Sequence, residues 1–208
     1  MSPRTKAQTD QIKAKRKAQI LDAAYQVFSQ KGFHLTTVAD VASKAGVSYG
    51  IVYHYYRNKE ELFWAVFENW TSEYISNQAA SEEFISAATA TDQLKIFAAD
   101  AVQLMTESTE FLPVQMEFWS LIARHDQIRE RFRQLFDALR SPLINIIQGG
   151  IDNGEFRQAD TEILASLALA AYDGLVLQWI TDPKKIDWQV TVHTLVELIL
   201  CYLAPENQ

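Results

Sequence analysis

The sequence predicts an all-α fold of about nine helices, three in a small N-terminal unit and the others in a larger C-terminal one. Three observations carry that prediction. Apolar residues recur at helical spacing through most of the 208 residues. No stretch alternates with period two and then enters a hairpin turn. Cap residues and glycine stops bracket the periodic segments where helices should begin and end.

Residues 1–12 read as a mobile arm, with Arg4 and Lys6 among small polar neighbours. A first helix is expected over 12–31, burying Ile20, Ala24, Val27 and Phe28 and closed by Gly32 with apolar Phe33 beyond it. Lys13, Lys15, Arg16 and Lys17 crowd its start. Positive charge there opposes the helix dipole, which favours an external anion over a merely solvated face. Thr37 and Asp40 have capping-box spacing, and Val38, Val41, Ala42 and Ala45 line one face of the helix that follows. Gly46 stands where that helix must stop. Ser48 can cap a shorter third helix, with Tyr49, Gly50, Tyr53 and His54 facing out and Val52 and Tyr56 facing in. Asn58 is the next cap, with Glu61 three residues on.

A helix over 58–78 carries a wide aromatic stripe of Phe63, Phe67, Trp70 and Tyr74. The polar stretch 79–92 reads as loop or frayed helix ends. Further helices are expected around Leu94 to Met105, over 114–125 with Pro113 in its first turn, and from Asp126 onward through Pro142. Gly149-Gly150 or Gly154 should end the last of these. Two more, near 160–180 and 187–203, are split by Asp182-Pro183 and are apolar over more than one stripe. Helices of that kind need cover on two sides.

Composition narrows the function. No uninterrupted apolar run of about 20 residues is present, so no membrane span is expected, and the polar, basic N-terminus does not read as a secretory signal. Cys201 is the one cysteine, expected to be an ordinary packed thiol, and a reduced, cytoplasmic setting fits it. Four scattered histidines offer no metal-ligand spacing, and no phosphate loop, nucleophile elbow or dinucleotide fingerprint occurs, so no metal, cofactor or catalytic residue is assigned. Charge is unevenly spread. Residues 1–60 hold ten Lys/Arg and four Asp/Glu, a balance of +6, whereas the remainder holds nine and 22, a balance of −13. The positive third suits phosphate attraction.

Helix, glycine turn and a short helix rich in hydrogen-bonding aromatics is the helix-turn-helix arrangement of DNA-binding proteins. The segment Thr36-Thr37-Val38 with Asp40-Val41-Ala42, then Ala45-Gly46-Val47-Ser48, Gly50, Tyr53-His54-Tyr55-Tyr56 and Asn58-Lys59-Glu60-Glu61-Leu62 resembles the N-terminal domain of the TetR family of bacterial transcriptional regulators. That resemblance implies a helix-turn-helix DNA-binding domain over 1–57 and a ligand-binding and dimerisation domain over 58–208. It places Tyr53, Tyr55 and Lys59 on the DNA backbone, with Thr37 and Ser48 near it. Tyr49, Gly50 and His54 are the candidates for base edges, since a glycine there allows close approach. Where family members often carry phenylalanine, Tyr56 adds a buried hydroxyl that needs a partner.

The larger unit reads as a receptor. Phe67, Trp70, Met105, Gln115, Trp119, Tyr172 and Asp173 are the candidate ligand-binding residues. Asp173 lies in an apolar run and must be paired, either at a dimer contact or by a ligand. The expected function is a ligand-responsive regulator, as the resemblance implies a repressor. It would bind a palindromic double-stranded DNA operator as a homodimer through the last two helices, and a small, largely apolar or aromatic effector would release it. The alternative is a helical ligand- or partner-binding protein, acting as an activator or a co-repressor-dependent regulator.

Overall fold

The computed structural model describes residues 6–79, 81–122 and 126–205, and among them every regular element is helical. Ten α-helices follow one another: α1 (Lys6–Leu35), α2 (Val38–Lys44), α3 (Tyr49–Tyr55), α4 (Lys59–Ala79), α5 (Glu82–Ser86), α6 (Ala90–Glu107), α7 (Leu112–Ile122), α8 (Asp126–Asp152), α9 (Thr161–Thr181) and α10 (Trp188–Leu203). A single 3-10 turn, Thr109–Phe111, precedes α7. The all-α expectation holds. Two compact units result. One takes the chain up to Glu73 together with Pro113–Glu117; the other takes Tyr74–Leu112 and the chain from Phe118 onward.

In the first unit α1 packs on α2 and α2 on α3. Ile20, Ala24 and Phe28 of α1, Val41 of α2, Val52 of α3 and Leu62 and Phe63 of α4 are fully buried. Phe63 meets Phe28 and Phe33 edge-on, with ring centroids 5.0 and 5.2 Å apart. Each such aromatic stabilises the fold by roughly 1.5–3 kcal/mol through burial. The expected start of α1 needs correction: helix is already present at Lys6, before the apolar period begins at Ile12. The stretch Lys-Ala-Gln-Thr-Asp-Gln has mostly good helix formers but no buried face, so periodicity could not mark it. Gly32 has φ +74°, breaking the helix near the expected place. Arg4 lies outside the described residues.

The second unit is built on α6, α8, α9 and α10, with α6 against α8 and α10 and α8 against α9. Leu94, Leu143, Ile146, Ile147, Ile151, Leu164, Ala165 and Leu203 form its core. Of the candidate stops for α8, Gly154 is the one used. It has φ +74°, its N–H donates to Ile151 O (3.0 Å), and Glu155 N–H donates to Gly150 O (2.8 Å), the paired bonds of a Schellman end. The helix runs through Pro142. Within the stretch expected to be loop, Ser81 caps the five-residue α5 and Thr89 caps α6. Helix α7 begins at Leu112 and is described to Ile122; His125 lies outside the described residues. Cys201 is exposed, not packed as expected. By length and composition alone α9 could cross a membrane, although Asp173 interrupts its apolar run; 17% of its apolar window is buried inside the chain.

Candidate nucleic-acid interface and ligand cavity

The motif is held by reciprocal polar contacts. Thr37 Oγ1 accepts from Asp40 N–H (3.2 Å), while Asp40 Oδ2 accepts from Thr37 N–H (2.9 Å) and from the Thr37 hydroxyl (2.7 Å). Lys31 Nζ lies 2.8 Å from the other Asp40 oxygen. Hydrogen bonds from Lys31 and then Thr37 hold the Asp40 carboxyl well below the usual carboxylate range. At the turn Gly46 takes φ +61°, and the N–H groups of Gly46 and Val47 return to Ser43 O (3.1 Å) and Ala42 O (3.0 Å). A clamp that sequence reasoning missed comes from α1: Gln19 Nε2 donates to Ala45 O at 2.6 Å. No spacing rule connects residues 26 apart.

Helix α3 presents its outer face as expected. Ser48 occupies the N-cap position, exposed and without a side-chain cap bond. Tyr49, Gly50, Tyr53 and His54 are all exposed on α3. The two tyrosines pair, with centroids 4.7 Å apart and Tyr49 donating to the Tyr53 hydroxyl at 3.1 Å. Nothing of the chain lies within 4 Å of a Cβ placed on Gly50, so the protein's own packing does not demand a glycine there. Tyr55 is half-buried, its ring edge-on to His54. Val52 and Tyr56 point inward, as expected.

Lys59 stands differently from its neighbours. It is half-buried, and its ammonium donates to Phe33 O (2.7 Å) and His34 O (3.2 Å) while lying 4.5 Å from the centre of the Phe33 ring. The lysine therefore closes the end of α1, a task with no local signature in the sequence. Phe33 N–H donates in turn to Glu117 Oε2 at 2.8 Å. Of the basic residues in α1, Lys13, Lys15 and Lys17 are exposed, whereas Arg16 is half-buried and bonded to Gln19 (3.0 Å).

In the second unit Trp119 and Ile122 of α7, Arg129 and Phe136 of α8 and Asp173 of α9 line an open cavity of about 390 Å³. Of the five expected ligand residues whose side chains are described, it brings together two, Trp119 and Asp173. Met105 is fully buried in α6, and Tyr172 is half-buried but not part of the lining. Phe67 packs instead in the first unit beside Trp64, with centroids 5.8 Å apart. The side chains of Trp70 and Gln115 lie outside the described residues. Arg129 was not foreseen, although it shares a helical face with Phe132 and Phe136. Burial pushes the Asp173 carboxyl up to about 7.

A capped helix, a glycine turn and a short helix with an exposed hydrogen-bonding face, joined to a helical unit with a cavity of its own, define a helix-turn-helix transcriptional regulator. Comparison with known proteins gives the family. Residues 20–66 match the model described as bacterial regulatory proteins, tetR family, and residues 90–203 match the BetI-type transcriptional repressor, C-terminal model. The uncharacterized HTH-type regulator YfiR of Bacillus subtilis is 32% identical over 98% of this chain and 96% of its own length. The fatty acid metabolism regulator protein of the same organism is 25% identical over 88% and 92%. Among solved structures, FadR of B. subtilis in complex with stearoyl-CoA superposes with a TM-score of 0.76 at 24% identity, covering 89% of this chain and 98% of that one. A Saccharomonospora viridis regulator in complex with choline gives 0.79 at 20% identity, covering 93% and 100%. The chain belongs to the TetR family, whose members are transcriptional regulators and not enzymes.

Proposed function

We propose that this regulator is a ligand-released repressor that binds a palindromic operator as a homodimer. The observation that carries the reading is the outward face of α3, where Ser48, Tyr49, Gly50, Tyr53 and His54 are exposed together on a helix that follows the capped α2 and the Gly46 turn. Tyr53, Tyr55, Thr37 and Ser48 then serve the phosphate backbone, and Tyr49, Gly50 and His54 approach base edges. Because the Thr37 hydroxyl is engaged with Asp40, its contribution comes through the α2 amides beyond it. Lys59 acts mainly by fixing the end of α1 and lends only its remaining positive field. In this reading residues 1–57 read DNA, and 58–208 bind the effector and form the dimer.

Dimerisation uses the outward faces of α9 and α10. Ile163, Leu167, Leu177, Val190 and Leu198 are more than half exposed in the single chain, an apolar surface that a second copy would cover. The same cover suits the apolarity of α9 better than lipid does, since Asp173 sits in its middle. Two copies place two recognition helices in major grooves roughly 34 Å apart. Relatives solved with stearoyl-CoA and with choline are ligand-bound regulators of this fold, and a small, largely apolar or aromatic effector in the second unit fits the cavity here. It shifts the dimer only by binding one conformation better than the other. Operation in the cytoplasm follows from a DNA target.

Selection of bound duplexes from a random pool, followed by salt titration, tests the proposal. An inverted repeat should be enriched, and log affinity should fall linearly with log salt. No enrichment, or a flat salt response, would sink it.

A further inference from the structure

We propose that the second unit's cavity takes an organic cation with an apolar or aromatic body, its positive centre against Asp173 and its body against Trp119 and Phe136. The inference rests on reading the second unit as the effector-binding half, and it names the chemistry of what binds there.

The cavity, about 390 Å³, has room for a small organic molecule. Trp119, Ile122 and Phe136 give it apolar walls, and the two charged groups among its described lining residues are not equivalent. Arg129 has its Nη1 3.1 Å from Asp126 Oδ1, and its side chain is 59% exposed. The guanidinium is thus offset and hydrated, and the aliphatic stem is what it can lend to a wall. Asp173 has the opposite situation. It is half-buried, and among the described residues it makes no hydrogen bond or ion pair. Among the described residues nothing lowers the carboxyl that burial has raised.

Each class of ligand meets that arrangement differently. An anion would add like charge beside a carboxylate that already lacks a partner. A neutral aromatic would remove more water from Asp173 and leave it unpaired. A cation supplies the missing counter-charge, and the faces of Trp119 and Phe136 attract it further through their ring quadrupoles. The position of Asp173 in the lining also bears on its other reading, as a contact between copies: a group that lines a cavity is available to a ligand.

Calorimetry on the full chain at pH 8 tests this with three matched probes: benzyltrimethylammonium, benzenesulfonate and benzyl alcohol. The cation should bind at least tenfold more tightly than the other two. Asp173→Asn should abolish that preference, Trp119→Ala should weaken cation binding severalfold, and both variants should keep the wild-type mass by light scattering. Equal or tighter binding of the anion or the neutral probe, no cation binding at millimolar concentration, retention of the preference in Asp173→Asn, or monomerisation of that variant would each overturn the inference. Duplex binding measured alongside separates the two readings. Asp173-dependent cation binding that leaves operator affinity unchanged upholds the cavity chemistry and removes the effector role. Salt-dependent operator binding without cation preference does the reverse.

Discussion

Around the DNA-reading motif, polar groups are answered from within the chain: Lys31 by Asp40, Gln19 by the Ala45 carbonyl, Phe33 N–H by Glu117, and Lys59 by the Phe33 and His34 carbonyls. The second unit leaves two accounts open. Asp173 has no partner among the described residues, and α9 and α10 expose Ile163, Leu167, Leu177, Val190 and Leu198. The first unit's motif is held by contacts made within the chain. On the proposed reading, the second unit would be finished by something outside the single chain, a second copy on one face and a small molecule in the cavity. A ligand bound there could act as a switch only by favouring one conformation over another.

Spoiling the second unit's open faces should have the largest effect. Leu167→Asp with Leu198→Asp places charge on α9 and α10 where the partner copy would sit. The pair should convert the dimer to a monomer and cut operator affinity on the order of 100-fold, since one recognition helix cannot span two half-sites. Light scattering and fluorescence anisotropy measure the two effects, and a double variant that remains dimeric would refute the assignment. Within the first unit, Tyr53→Ala removes an exposed group and should weaken operator binding about tenfold, the equivalent of one hydrogen bond of roughly 1.4 kcal/mol, with no change in melting temperature. Lys59→Ala should behave in the opposite way. It leaves two helix-end carbonyls and the Phe33 ring without their ammonium, and stability should fall by about 1–2 kcal/mol, seen as a Tm lowered by a few degrees. Equal Tm losses in both variants would erase the distinction between a contact residue and a positioning one.

How far the sequence could be read depended on how local each signal was. The Thr37–Asp40 box and the Gly46 stop were legible because caps and glycines act on their own helix ends, and the bounds of α9 and α10 because their apolar runs are split at Asp182-Pro183. The exposed face of α3 followed from helical spacing alone. Contacts over long separations were not legible: Gln19 with Ala45, Lys59 with Phe33, and Glu117 with Phe33 have no periodicity to announce them. The cavity was half legible. Trp119 and Asp173 were unusual for their surroundings, whereas Arg129 looked like one end of an ordinary i, i+3 surface pair with Asp126. Phe67 illustrates the remaining ambiguity, because an aromatic stripe shows that a helix is buried and not which unit buries it.

A pH titration sharpens the comparison at Asp173. Its carboxyl ionises near pH 3.8 when the chain is unfolded and near 7 in the folded unit, raised by burial. Between those values the native state holds the extra proton, so stability should decline as pH rises from about 4 to 7 and level off above that. Among the described residues lining the cavity, Arg129 is the other charged group. Asp173→Asn should flatten this part of the stability profile and be the more stable protein at pH 8, by on the order of 1–4 kcal/mol. Affinity for benzyltrimethylammonium should run the other way, rising about tenfold from pH 6 to pH 8 as the carboxyl ionises. Chemical denaturation and calorimetry across that range read both trends, and a pH-independent cation affinity would detach the cavity from Asp173.

The smallest expected effect lies in the first unit, at Tyr56. Its side chain is 5% exposed and its hydroxyl has no hydrogen-bond partner among the described residues, one of the few polar atoms there not answered from within. Burial, then the nearby Glu61 and Tyr55, holds that hydroxyl well above its ordinary ionisation range. It stays neutral at any physiological pH, and its cost is the unsatisfied group itself. Tyr56→Phe deletes the hydroxyl and keeps the ring, so the variant should gain about 0.5–1.5 kcal/mol and a slightly higher Tm. Operator affinity should stay unchanged, because the side chain faces the core beside Val52 and not the exposed face of Tyr49 and Tyr53. A loss of operator affinity without a loss of stability would show that the hydroxyl finds its partner on DNA. In that event the first unit, like the second, would be completed from outside the chain.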